Sequence, residues 1–236
     1  MEKLAKVFLK KHDAKILDVG TGNGNFIKII TALTDDFSEI IGIDLSRASI
    51  ESCEKNFEDK RINFFQMDAL EMDFDGHLFD FVCLSNSLHH LNNIKEVFSE
   101  MERVLKVDGE IIICEMMSDK LTNKQRSHLL LHHYAAEVDR FRGKFHAPTF
   151  TKQEIIRNIE ENTTLTIIDK WDLKYPEKET ISQIETQWLY ETIDRVKESV
   201  KDTKKKVYFE KGADKVKKHI NKYGFDSATQ LIVVLR

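Results

Sequence analysis

Apolar residues are distributed along the first half of the chain in two rhythms. At Lys15–Val19, Glu39–Ile43, Ile62–Met67, Phe79–Leu84 and Ile111–Cys114 they come in short, nearly unbroken runs. Such runs are expected of strands buried on both faces. Between them, at Asn25–Leu33, Arg47–Phe57 and Ile94–Leu105, the spacing is three and four, which predicts helices. Ser46 is placed to cap the second of these. A short amphipathic helix with Leu4, Val7, Phe8 and the stem of Lys11 precedes the first strand. Val107-Asp108-Gly109-Glu110 reads as a turn into Ile111–Cys114. Strands that alternate with helices imply crossover connections and a parallel sheet over residues 12–116.

The second half changes rhythm. Thr122–Arg142 predicts a helix rich in leucine and histidine. Pro148 and Thr149 close a loop, and Thr151 with Glu154 forms a capping box for a helix ending near Glu160. Leu165–Leu173 reads as a strand and Ile181–Lys222 as a long, mostly helical, lysine-rich stretch. Thr229–Leu235 is an apolar strand. Seven strands are thus expected, interrupted by helical insertions at 117–150 and 177–222 that could meet as a lid over a site.

Length and charge narrow the picture. The chain has 236 residues, 41% hydrophobic and 32% charged, which suits one large domain over 1–236 that needs no disulfide or metal to hold its core. The net charge of -4 gives no whole-chain case for nucleic acid or an anionic membrane. Cys53, Cys83 and Cys114 lack paired spacing and read as buried free thiols. Lysines break the first eleven residues, so they do not read as a signal peptide, and no apolar run approaches the roughly 18 residues of a membrane span. A cytoplasmic protein is expected, with no membrane partner and with its oligomeric state, monomer or homodimer, left open.

The candidate chemistry sits at the strand ends. Asp18-Val19-Gly20-Thr21-Gly22-Asn23-Gly24 follows a strand and precedes a helix, the context a glycine-rich ligand loop needs. A dinucleotide loop requires a further glycine where Asn25 stands. Asp18 also suits a cationic ammonium better than a pyrophosphate. Asp44 closes the second strand, where a carboxylate can accept both hydroxyls of a ribose. Asp68, in Gln66-Met67-Asp68-Ala69, closes the third and could accept from an adenine amino group. Each aspartate alone reads as a turn residue, whereas three in register point at one crevice.

With these residues the sequence resembles the class I S-adenosylmethionine (SAM)-dependent methyltransferase family, of the small-molecule type, over residues 12–116. Asp18–Gly24 is similar to the family's first motif, Asp44 to its ribose-binding acid and Asp68 to its adenine-contacting acid. Phe79–Leu91 is similar to its fourth-strand motif, and Arg103–Glu110 to the approach to strand five. The resemblance implies an α/β fold, a Rossmann-like doubly wound sheet of order 3-2-1-4-5-7-6 with the last strand antiparallel. It implies SAM as cofactor, bound by Asp18, Gly20, Thr21, Gly22, Asn23, Gly24, Asp44, Leu45, Met67, Asp68, Ala69 and Ser85. It implies methyl transfer to a small molecule by in-line displacement. Only about 14 residues precede the first motif, so a substrate cap would have to come from the two insertions.

The acceptor is less legible. The fourth strand runs into Leu84-Ser85-Asn86-Ser87-Leu88-His89-His90 and lacks the Asn/Asp-Pro-Pro-Tyr/Phe motif for planar amino groups. One of His89 and His90 is expected to face the site. His128, His132, His133 and His146 cluster in sequence, with His128 and His132 on one helix face and His133 paired with Glu137. This cluster could hold a divalent metal. The preferred reading places it, with Tyr134, along an acceptor pocket and assigns no metal ligand. Catalytic roles then fall to His89, His90 and His133. The lysines between Arg195 and Lys222 read as a solvated helix face with few interleaved aromatics, which disfavours nucleic acid. The rivals are an RNA or protein methyltransferase using that stretch, and a non-catalytic SAM-binding module.

Overall fold

The apolar runs become the interior of one seven-stranded sheet. Its strands are β1 (Ala14–Val19), β2 (Phe37–Asp44), β3 (Ile62–Gln66), β4 (Phe79–Ser85), β5 (Leu105–Met116), β6 (Ile167–Leu173) and β7 (Gln230–Leu235). They lie in the order 3-2-1-4-5-7-6, as the resemblance implies. This computed structural model describes residues 1–176 and 180–236. Strand β1 pairs in parallel with β2 and β4, β2 with β3, and β4 with β5. At the far edge Thr166 and Arg236 exchange both backbone hydrogen bonds, at 2.8 and 3.0 Å. That reciprocal pattern belongs to antiparallel neighbours, so β6 and β7 run oppositely and the sheet is mixed. The runs are unbroken because β1, β4 and β7 are buried on both faces, whereas the edge strand β6 alternates between exposed and half-buried residues.

Helices α2 (Asn25–Leu33), α3 (Arg47–Asn56) and α4 (Ile94–Val104) supply the crossovers, and α1 (Glu2–Phe8) precedes them. Ser46 caps α3 by accepting from the Ser49 N–H. Polar ties fasten the strand starts. Asp80 Oδ2 accepts from the Lys15 N–H at 2.9 Å and the Lys106 ammonium at 2.8 Å. Glu110, 1% exposed, accepts from the Lys10 ammonium at 2.9 and 3.0 Å and from the Arg236 guanidinium.

Strand β5 departs from expectation. Val107–Glu110 is not a turn: the strand runs through it from Leu105 to Met116. The ladder explains this. Phe79 pairs with Leu105 but Phe81 pairs with Glu110, a register shift that absorbs the extra residues inside the strand. The glycine signal at Gly109 marks this irregularity, since a Cβ there would meet the Leu105 side chain at 2.8 Å and the Asp80 carbonyl at 3.0 Å.

By internal contacts the chain divides into two units: Met1–Glu115 with Ile155–Leu173 and Leu231–Arg236, and Met116–Glu154 with Lys174–Gln230. The second contains α5 (Asn123–Phe141), α7 (Gln183–Glu198) and α8 (Lys206–Tyr223). Thr122 with Gln125 and Ser182 with Glu185 form capping boxes for α5 and α7. The three helices share a core that includes Leu131, Tyr134, Leu189, Ile193, Phe209 and Ile220, so helices from both expected insertions meet. Buried Val200 anchors the turn that splits the lysine-rich stretch into α7 and α8. Its lysines lie outside this core and partly pair with acids, as at Asp194 with Lys197 (2.8 Å) and Lys217 (2.7 Å). The start of the second expected insertion, residues 177–179, lies outside the described residues. Helix α6 (Lys152–Glu160) begins at the expected box, where Glu154 accepts from the Thr151 N–H and hydroxyl. Among the described residues no helix is long and apolar enough to cross a membrane. All three cysteines are buried and none forms a disulfide, and burial raises the Cys53 thiol to about 11.

Candidate active site

The glycine loop leaves β1 and is pinned on both sides. The Thr21 N–H donates to the Ile43 carbonyl of β2 at 2.9 Å, and the Gly24 N–H to the Thr21 carbonyl at 2.9 Å. Ser87, just beyond β4, holds its hydroxyl 3.0 Å from both the Gly20 and the Ser85 carbonyl oxygens, with one proton shared between the two acceptors. Gly20 has φ +67, and a Cβ there would meet Ser87 Oγ at 2.8 Å, so both conformation and space demand glycine. Gly22, at φ +53, differs: a Cβ would meet nothing within 4 Å. The main chain is open there for a ligand to lie against. Asn23 is exposed and Thr21 buried.

Asp18 is 1% exposed, and among the described residues neither carboxylate oxygen nor the Thr21 hydroxyl has a hydrogen-bond partner. Burial is the main reason its carboxyl is pushed up to about 7; the nearby Asp44 charge adds to the rise and the adjacent Thr21 hydroxyl offsets part of it. A buried, unpartnered acid beside a second carboxylate makes a site of strong negative potential suited to a cation or an N–H donor.

Asp44 ends β2 and is held by backbone. Its Oδ2 accepts from the Gly22 N–H at 2.9 Å and its Oδ1 from the Ser46 N–H at 2.8 Å. Each oxygen keeps a second lone pair. Asp68 accepts from the Leu70 N–H at 3.0 Å, the turn geometry that a lone aspartate would adopt. It is exposed, as is Leu45, while Met67 and Ala69 are half-buried. The Met67 N–H donates to the Asp44 carbonyl at 3.1 Å, which joins the ends of β2 and β3.

Beyond the half-buried Ser85, a short 3-10 turn over Leu88–His90 separates the two histidines. His89 is fully buried and His90 is exposed. The His89 Nδ1 lies 2.7 Å from Oε1 of Glu115, also fully buried, whose Oε2 accepts from the Leu88 N–H at 3.0 Å. Sequence reasoning missed Glu115 and Ser87. Glu115 did carry a signal: a lone acid inside the apolar run Ile111–Met116 requires a partner.

The remaining candidates stand on α5 in the second unit. His128 is corrected. Its Nδ1 accepts from the Ala228 N–H at 3.0 Å, and burial lowers its pKa to about 4, so it serves as a neutral backbone anchor and not as a pocket or metal group. Tyr134 is also corrected: its ring packs in the helical core, and its buried hydroxyl has no hydrogen-bond partner among the described residues. His133 Nε2 lies 2.8 Å from the Thr149 hydroxyl. Glu137 accepts from the Tyr208 hydroxyl.

Known proteins resemble this chain in sequence and in fold. Residues 17–113 match the family described as "Methyltransferase domain". A demethylmenaquinone methyltransferase of Porphyromonas gingivalis is 33% identical over 105 residues, 43% of either chain. One from Bacillus subtilis is 24% identical over 152 residues, 63% of this chain and 64% of the relative. The chain therefore spans less than two thirds of these relatives. A SAM-dependent methyltransferase from Thiobacillus denitrificans, solved with S-adenosyl-L-homocysteine, shares the fold at a TM-score of 0.59 and 14% identity, covering 99% of this chain and 89% of that one. Residues 17–113 are thus similar to a methyltransferase domain, and the sheet of order 3-2-1-4-5-7-6 belongs to a fold shared with a solved SAM-dependent methyltransferase.

Proposed function

We propose that the chain binds SAM in the cradle of Asp18, Gly20–Gly24, Asp44 and Asp68, and transfers its methyl group to a small-molecule acceptor. Asp18 carries this reading. A buried carboxylate without partners is costly unless a ligand completes it, and SAM offers both an ammonium and a sulfonium charge. The residues fit the group. Asp18 would hold the ammonium, directly or through water, and open Gly22 would admit the ligand against the main chain. Asp44 has lone pairs left for two ribose hydroxyls and Asp68 for an adenine amino group. Leu45, Met67 and Ala69 would flank the adenine, and Thr21, Asn23 and Ser85 would complete the wall.

When bound, SAM supplies a methyl group on an already activated leaving group. The chain's task is then alignment, and a base is needed only where the acceptor atom loses a proton. Of the three candidate histidines, His89 is best built for this. Glu115 accepts the proton on Nδ1 and so fixes Nε2 as the basic nitrogen. His90 and His133 are the next candidates. The family match ends at residue 113, ahead of α5, α7 and α8, so acceptor choice belongs to residues outside it. Demethylmenaquinone, named for the relatives, is the first acceptor to assay. We place the enzyme in the cytoplasm, where its three thiols, none in a disulfide, stay reduced.

Asp44→Ala tests the cofactor assignment. Loss of charge-assisted contacts worth about 1.5–3 kcal/mol should weaken SAM binding about 10–150-fold by calorimetry. Unchanged affinity in a folded variant removes the assignment. Tight SAM binding with no methyl transfer to any acceptor would instead support a non-catalytic binding module.

A further inference from the structure

Within the second unit, two imidazoles converge in a way the methyl-transfer reading does not use. His132 lies near the middle of α5, and His146 lies fourteen residues on, where the chain has turned back after Gly143. Their Nε2 atoms are 3.2 Å apart, and their rings meet at 68°. His146 is 4% exposed and its carbonyl accepts from the Arg140 guanidinium at 2.7 Å, which holds the returning segment to the helix. On its other side, His146 Nδ1 is 3.1 Å from Oδ2 of Asp139. Asp139 is seven residues after His132 and so shares its helix face.

The chemistry of this arrangement is specific. A carboxylate that accepts the proton on Nδ1 leaves the lone pair of His146 on Nε2, the atom that faces His132. Zinc–nitrogen bonds of about 2.0–2.1 Å at a tetrahedral angle put two ligand nitrogens about 3.3 Å apart, close to the spacing here. A carboxylate behind a metal-bound imidazole also fixes its tautomer and raises its basicity. The helical pairs suggested by sequence do not provide this: His128 is spent on the Ala228 N–H and His133 is bonded to Thr149.

We propose that His132 and His146 bind a divalent first-row transition metal through their Nε2 atoms, with Asp139 as the carboxylate that orients His146. Imidazole donors select zinc, cobalt, nickel or copper over magnesium or calcium. Water or another donor fills the remaining positions.

The test uses the full chain, stripped with a chelator and titrated with zinc against a chromophoric competitor. Cobalt substitution and X-ray absorption report the number of imidazole ligands. One equivalent should bind with a dissociation constant on the order of 10 µM or tighter. His132→Gln and His146→Gln, which keep size and polarity, should each abolish that binding, and Asp139→Asn should weaken it about 10–100-fold. His12→Ala and His133→Gln should leave it unchanged. Circular dichroism confirms that each variant is folded, and His132→Ala and His146→Ala repeat the measurement should a glutamine variant fail. If no stoichiometric zinc binds, or the His132→Gln/His146→Gln double variant binds it equally well, the pair is two hydrogen-bonded rings and the proposal fails.

Discussion

Asp18→Asn separates a binding role from a structural one, because the two roles predict opposite effects on stability. Burial holds the Asp18 carboxyl at about 7 against an ordinary 3.8. At 1.36 kcal/mol per tenfold change, the ionised form is disfavoured by about 4 kcal/mol. Between those pH values the folded state keeps a proton that the unfolded chain has released. Stability without ligand therefore falls as pH rises through 7, and the full cost is present at pH 8.5. Asparagine keeps the shape and cannot ionise. Urea unfolding of the ligand-free protein should find wild type and Asp18→Asn within about 1 kcal/mol of each other at pH 3.5, where the wild-type side chain is largely neutral in the folded and the unfolded chain alike. At pH 8.5 the variant should be the more stable by about 2–4 kcal/mol. Calorimetry with SAM should show the reverse: affinity about 10–100-fold weaker, from the loss of a charge-assisted contact. Wild-type binding should also tighten as pH rises through about 7 and release a proton that the variant does not release. A variant that is destabilised at pH 8.5, or that binds SAM as well as wild type, would show Asp18 to be an ordinary structural acid.

Other consequences concern the scaffold. Tyr134→Phe removes a buried hydroxyl without a partner and should raise stability by about 1 kcal/mol in chemical denaturation. Replacing Lys10 and Arg236 together by methionine strands buried Glu110 and should cost about 3–5 kcal/mol; adding Glu110→Leu should restore most of it. His128, lowered to about 4, takes a proton in the unfolded chain from about 6.5 downward, so its contribution is present above that pH and is lost towards pH 4, by about 3 kcal/mol. Asp18 acts in the opposite direction over an overlapping window. The His128 slope is therefore best measured in the Asp18→Asn background, where His128→Gln should flatten it.

What the sequence showed and what it concealed follow from the range of the interactions. Buried parallel strands and their crossover helices write their own periodicity, so α2 occurs at Asn25–Leu33 as read and Ser46 caps α3. The loop after β1 was legible because its geometry is local: Gly20 and Gly22 turn there whatever lies far away in sequence. Strand β5 was misread because the register shift that keeps Val107–Glu110 extended is a property of its pairing with β4. His128 and Tyr134 were misassigned for the same reason. A histidine on a helix looks available until the Ala228 N–H, 100 residues away, claims its ring.

That distinction also sets where specificity should be sought. The proposed donor site is built from short-range features, a loop and three strand-end acids, within the residues 17–113 that match the methyltransferase domain. The groups around α5 depend on long-range folding. Thr149 comes sixteen residues after its partner His133, and Ala228 one hundred after His128. Such pairings leave no fixed spacing for a family pattern to record. Relatives that share the donor loop can therefore differ freely in acceptor. Exchanging residues 116–154 and 174–230 between this chain and a related enzyme should move acceptor preference while SAM affinity stays within a few-fold. If acceptor preference followed residues 17–113 instead, the strand ends themselves would have to select the acceptor.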